Sequence, residues 1–294
     1  MTTATETINH LHAGTIAGQR YALTIPREAM QGPAGFRLSN HAGSSLDFKD
    51  FREYQPGDDL RRIDWNAYAR SDRLIVKLYR EEVAPHLDLI IDGSLSMNLP
   101  KSPKLPATLR IAALLASAAN NAGCTLQAWL AGDTIAPIAN GKRPAPEWQP
   151  PTFNASTPPH EAIHRPPAPH WRRNAIRIFI SDLLWDNDPI LFLRPFATGA
   201  AAIHIIQILT HEEEHPSTQG NHRLIDIETN QKHEIFIDAV ARDHYRSALA
   251  SHRRLWNSSC RRIGASFSTI TAETMLDNNP SLSILQKSKI INAI

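Results

Sequence analysis

Leu87-Asp88-Leu89-Ile90-Ile91-Asp92-Gly93-Ser94-Leu95-Ser96 joins a short run of branched aliphatics to a polar loop with one carboxylate and two hydroxyls. Bounded by Pro85 and Gly93, the run predicts a strand covered on both faces, as in a parallel sheet. The chain then passes Pro100 and Pro103 and enters Leu105 to Asn121, where Leu109, Ala112, Ala113, Ala116 and Ala119 recur at helical spacing. Strand, polar loop and helix make half of a βαβ unit, and open α/β sheets bind ligands at the carboxyl ends of their strands.

Asp92, Ser94 and Ser96 offer oxygens to a hard divalent cation such as Mg²⁺, which takes oxygen ligands in octahedral geometry and keeps some of its waters. A second predicted strand, Ala175 to Ile180, ends in Ser181-Asp182 and would bring another carboxylate to the same sheet edge. A cation held mostly by neutral hydroxyls stays electron-poor and favours an acidic ligand from outside. The alternative is that these Ser and Asp residues only cap the next helix or form turns.

Asp92-x-Ser94-x-Ser96 with the later Ser181-Asp182 resembles the metal-ion-dependent adhesion site of von Willebrand factor A domains. The preceding series is more specific: Arg52-Glu53-Tyr54-Gln55-Pro56-Gly57-Asp58-Asp59-Leu60-Arg61-Arg62-Ile63-Asp64-Trp65, then Tyr68-Ala69-Arg70, Val76-Lys77 and Glu81-Glu82. It is similar to the signature of the bacterial family called domain of unknown function 58, whose members join it to a von Willebrand A-like domain. The resemblance runs from about Gly43 to near the C-terminus. It implies an α/β fold with a mainly parallel, Rossmann-like sheet, helices on both faces and an N-terminal extension. Residues 1–84 would be that extension with the signature, and 85–294 the A-like domain. It also implies a metal set of Asp92, Ser94, Ser96, Asp182 and a loop threonine, for which Thr157 is the candidate and Thr152 the rival.

Beyond these motifs, Met1 to Asn40 is weakly patterned, with one short helix and extended segments expected. Leu74 to Leu78 reads as a strand, and Thr125 to Leu130 with Thr134 to Ile138 reads as a hairpin around Gly132-Asp133. Residues 143–170 are rich in proline, lack apolar periodicity and predict a long loop. A helix near Pro189 to Thr198, a strand from Ala202 to Leu209, a hairpin of Arg223 to Glu228 with His233 to Ile237 turning at Asn230, and a helix from Asp238 to Ile263 capped by Gly264 follow. A strand from Ser266 to Thr271 and a short helix close the chain.

The formal charge of +2, with basic and acidic residues interspersed, leaves no footprint for nucleic acid. Two cysteines, Cys124 and Cys260, make no disulfide framework. Met1 to Gly18 lacks the zones of a signal peptide, and no apolar run reaches the ~20 residues that span a bilayer. A cytoplasmic protein without membrane insertion is expected. His211-Glu212-Glu213-Glu214-His215 spells a zinc-protease motif, but it follows a strand and is cut by Pro216, so it reads as a solvated acidic loop. Leu95 and Met97 stand where a Gly-x-Ser-x-Gly elbow needs serine and glycine, and Ser94 stands where a haloacid-dehalogenase phosphatase needs a second aspartate. No phosphate-binding or dinucleotide loop is spelled.

The signature itself admits two readings: a network clamping the extension to the sheet, or a partner surface rich in Arg, Trp and Tyr. Family resemblance implies an adaptor that works with a MoxR-type AAA+ ATPase on a client protein. The function expected is therefore noncatalytic: a protein-interaction module dependent on Mg²⁺ or Mn²⁺, in which a partner's acidic residue completes the coordination. The alternatives are a metal-dependent hydrolase of phosphate esters, with His86 or a histidine of the 160–170 loop as base, and a scaffold domain that binds no metal.

Overall fold

The computed structural model describes residues 4–26, 29, 46–58, 60–81, 84–227, 231–277, 280 and 282–294; Asn40, Gly43, Asp59, Glu82, Glu228 and Asn230, named above, lie outside them, as do the segments expected over 30–40. Helix α1 (Ala4–Gly18) and strand β1 (Tyr21–Leu23) open the chain. Strand β2 (Leu46–Glu53), helix α2 (Trp65–Ser71) and strand β3 (Ile75–Glu81) carry the signature, with β2 and β3 paired antiparallel. Next come β4 (His86–Asp92), α3 (Lys104–Asn121), β5 (Thr125–Ala131) and β6 (Ile135–Pro137). The proline-rich stretch holds a 3₁₀ turn (Ala145–Glu147) and one short α-helical turn, α4 (Pro159–Ala162). Then follow β7 (Ala175–Ser181), α5 (Pro189–Ala197), β8 (Ala200–Leu209) and α6 (His211–Glu214). A hairpin of β9 (Gly220–Ile225) and β10 (Lys232–Ile237) leads into α7 (Ala239–Arg262), β11 (Ser266–Thr271), α8 (Ser283–Lys287) and β12 (Ile291–Ala293).

Six strands form the main sheet in the order β11-β8-β7-β4-β5-β6. Neighbours are parallel except β5 and β6, which close the sheet as an antiparallel hairpin. From β4 the chain winds outward through β5 and β6, then returns across β4 to lay down β7, β8 and β11. The winding reverses between β4 and β7, and a sheet of this kind leaves a crevice at the carboxyl ends of those two strands. Asp92 ends β4, and Ser181 ends β7.

Both faces of the sheet are covered, which is why β4 reads as a continuous apolar run. Leu87, Leu89 and Ile91 pack with Ile178, Ile180 and the apolar side of α3. Ile90 and Phe179 face the other way, against Phe192, Phe196 and Trp256 of α5 and α7. Each such side chain fully removed from water contributes about 1.5–3 kcal/mol. Asp238 caps α7 by accepting the Ala241 N–H at 2.7 Å, and Gly264 ends it at φ 72°.

Residues 4–26, grouped by sequence with the signature, pack on the main body. Helix α1 lies on α3 so closely that a Cβ on Gly14 would sit 2.2 Å from the Arg110 carbonyl oxygen. Leu11 is fully buried in the same interface, and β1 pairs with β12 from the far end of the chain. The buried stripe of α1 is Thr7, Leu11, Gly14 and Gly18, so the segment shows little apolar periodicity in sequence.

Within the signature, Arg52 Nη2 pairs with Asp58 Oδ1 at 2.8 Å. Asp64 caps α2 through the Asn66 and Ala67 N–H groups and pairs with Lys77 Nζ at 3.3 Å. These bonds tie residues 52–77 to one another. Trp65 is 60 % exposed, with Tyr68 edge-on to it, and Leu60 is exposed as well. Among the described residues no helix is long and apolar enough to cross a membrane.

Candidate metal centre

Asp92 lies at the crevice between β4 and β7 and is 1 % exposed. Its Oδ1 accepts the Ser94 N–H at 2.9 Å, which turns the loop back over the strand end. Its Oδ2 accepts the Ser181 hydroxyl at 2.5 Å from across the seam. Ser94 Oγ and Ser96 Oγ stand 3.0 Å apart. Burial pushes the Asp92 carboxyl up to about 7, and the nearby charge of Asp182 adds to the push. The groups that hold Asp92 are neutral donors, so its charge has no cation beside it in these bonds.

Asp182 follows directly on Ser181 and is equally buried. Its Oδ1 accepts the Leu184 N–H at 3.1 Å, and its Oδ2 accepts from Lys104 Nζ at 3.1 Å. Gln207 Nε2 donates to the Asp182 carbonyl at 2.9 Å and fixes the backbone there.

The proline-rich stretch reaches this edge. Ala155 bridges Ser94, with Leu95 N–H on the Ala155 carbonyl at 3.1 Å and Ala155 N–H on that of Gly93 at 3.1 Å. Thr157 lies two residues on and is buried, whereas Thr152 is exposed. The Thr157 hydroxyl accepts from Arg165 Nη1 at 2.8 Å, and its N–H donates to Asp133 Oδ1 at 3.2 Å. Hydrogen bonds from the Thr157 side chain and backbone hold the Asp133 carboxyl below its usual range. The structure thus gathers Asp92, Ser94, Ser96 and Ser181 into one bonded cluster with Asp182 beside it, while Thr157 is engaged by Arg165 and Asp133.

Two expectations are corrected. His86 opens β4 and Asp92 closes it, so about 20 Å of strand separates them at the usual rise. His86 instead stands 2.7 Å from Thr125 Oγ1 and 3.3 Å from Asp88 Oδ1, in a cleft of about 820 Å³ at the opposite sheet edge that His170 also lines. His160 is stacked on Trp185, with Nε2 2.8 Å from Asn187 Nδ2. The acidic His211–His215 segment is not a solvated loop: it forms one helical turn with a capping box between Thr210 and Glu213. Glu213 turns inward to Lys104, and Glu214 bonds Arg253 Nη2 and the Thr271 hydroxyl.

The site residues that sequence reasoning missed are Ser181 as the donor to Asp92, and Lys104 with Glu213. Lys104 did leave a signal. It begins a helix with no acidic residue in its first turn, where the helix dipole disfavours a cation.

Residues 50–255 match the model of a family described as a protein of unknown function, DUF58. The chain belongs to the DUF58 family. This span holds both the signature of β2, α2 and β3 and the cluster at Asp92. Uncharacterized proteins of Mycobacterium bovis and Mycobacterium tuberculosis are each 28 % identical to this DUF58 chain over an alignment of 219 residues that covers 69 % of this chain and 67 % of each relative. Among solved structures, a conserved hypothetical protein BatB from Bacteroides thetaiotaomicron aligns at 12 % identity and TM-score 0.36, over 69 % of this chain and 95 % of that one. An aerotolerance-related membrane protein from Bacteroides fragilis aligns at 12 % and 0.35, over 69 % and 98 %.

Proposed function

We propose that residues 85–294 are a von Willebrand A-like module that binds a divalent cation, Mg²⁺ or Mn²⁺, at Asp92, Ser94 and Ser96, with Asp182 alongside. One observation carries the proposal: a carboxylate buried at the switch point, held by neutral donors, with two hydroxyls 3.0 Å apart beside it. Burying a charge that has no counter-charge is costly, and an oxygen-only donor set suits a hard cation. The residues fit the ion. Asp92 would supply the charge and Ser94 and Ser96 neutral oxygens. Asp182 would act at the edge of the site, and Thr157 would join only by leaving Arg165.

When bound, the cation supplies an electron-poor centre for an oxygen ligand. The chain's own residues hold it with few negative charges, which leaves affinity for a carboxylate on another protein. The module is read as noncatalytic: His86, one base a hydrolase would call on, lies at the opposite sheet edge, and the Nε2 of His160 is paired with Asn187. The exposed Trp65 and Tyr68 of the signature give a second surface, separate in sequence from the cation site. Two surfaces of this kind suit an adaptor between a client and a MoxR-type AAA+ ATPase.

Calorimetric titration with Mg²⁺ and Mn²⁺, with and without an acidic peptide, tests the proposal. Binding that Asp92→Ala abolishes, and that tightens with the peptide, is expected. A folded wild-type chain that takes up neither ion would refute it.

A further inference from the structure

Lys104 is a feature of the Asp92 crevice that the cation site proposed above does not use. Its side chain is 1 % exposed, with the ammonium bonded to both Asp182 Oδ2 and Glu213 Oε1. Burial acts to lower its proton affinity, but the charges of Asp182 and Glu213 outweigh that, so the ammonium stays charged.

We infer that Lys104 is a resident cation that competes with a divalent ion for Asp182, and that Glu213 is the second anchor to which its ammonium withdraws when the ion enters. The inference rests on the cation site proposed above.

Three observations carry it. First, both Asp182 oxygens are already engaged, Oδ1 by the Leu184 N–H and Oδ2 by Lys104. An ion that recruits Asp182 must share or displace the ammonium. Second, Glu213 is fixed independently of Lys104: its Oε2 accepts the Thr210 N–H at 2.8 Å and the Thr210 hydroxyl at 3.1 Å, and its carbonyl accepts the Tyr245 hydroxyl at 2.6 Å. It would remain in place to receive the ammonium alone. Third, the two anchors lie on different elements, Asp182 just after β7 and Glu213 on α6, and a lysine on its four-carbon stem is the mobile partner between them. Like charges close together repel more strongly in a buried site than in water. Removing the ammonium should therefore favour the divalent ion, and removing Glu213 should disfavour it.

The test titrates Mg²⁺ and Mn²⁺ into the full chain as wild type, Lys104→Met, Lys104→Arg, Glu213→Gln and Asp92→Ala, with circular dichroism to confirm folding. Lys104→Met should bind at least tenfold more tightly than wild type, Glu213→Gln more weakly, and Lys104→Arg close to wild type. Opposite shifts from two residues in contact are not what loss of a merely structural bond produces. In protein labelled with ¹³C-lysine, the Cε signal missing from Lys104→Met should move as Mg²⁺ binds to wild type. If wild type, Lys104→Met and Glu213→Gln bind with the same Asp92-dependent affinity, the competition is overturned and the cation site stands. If every folded variant fails to bind, the cation site itself falls, and the role of Lys104 with it.

Discussion

Ser181 on β7 donates its hydroxyl to Asp92 on β4 at 2.5 Å, and the same oxygen accepts the Leu183 N–H at 2.9 Å. One hydroxyl thus orients the buried carboxylate and fixes the turn that carries Asp182. The two strands that frame the crevice are joined at its base by a side-chain bond as well as by their backbone ladder.

Ser181→Ala should therefore destabilise the fold by about 1–3 kcal/mol, the usual cost of leaving a buried polar group without its partner. Urea unfolding measures it. The loss should shrink in saturating Mg²⁺, because a cation on Asp92 replaces the missing donor.

Asp92 makes ion binding depend on pH. Its folded carboxyl is pushed up to about 7 from an ordinary value of 3.8. Between those values the folded chain holds a proton that the unfolded chain has released, so the contribution of Asp92 to stability falls as pH rises from about 4 to 7. A divalent ion must displace the same proton. Mg²⁺ affinity should weaken as pH is lowered through 7, and calorimetry in buffers of different ionisation heat should show proton release.

His204 acts in the opposite sense. Burial holds its imidazole down to about 4, with Nδ1 2.6 Å from Ser266 Oγ on the neighbouring strand. The unfolded chain takes up its proton near 6.5 and the folded chain only near 4, so stability is lost as pH falls across that window. His204→Gln should flatten this part of the profile. Chemical unfolding of both proteins at pH 7.5 and pH 5 gives the comparison.

Gly14 tests whether α1 belongs to the body. A side chain there meets the Arg110 backbone and the Ala113 Cβ. Gly14→Val should force the helices apart and destabilise by roughly 1–3 kcal/mol, as overpacking does. A thermal melt unchanged from wild type would show that α1 is dispensable to the core.

Local periodicity made most elements legible. The helix from Asp238, the strand at Ser266 to Thr271 and the hairpin at Gly132-Asp133 follow from spacing and caps that act within a few residues. The β9–β10 hairpin begins at Gly220, ahead of Arg223, because its exposed faces give no apolar signal to mark the start. The pairing of β1 with β12 was not legible, since neither three-residue strand carries a pattern and their partners come from opposite ends of the chain.

For the candidate site, sequence by itself set Asp92, Ser94 and Ser96 in one loop at the end of a buried strand and placed Asp182 at the end of another. The ladder geometry of a parallel sheet makes that outcome nearly local. Tertiary structure alone decided the rest. It put His86 at the far edge, turned Thr157 to Arg165, and drew Lys104 and Glu213 onto Asp182. A buried charge takes its partner from whatever the packed chain brings within a few ångströms, and no spacing along the sequence records that distance.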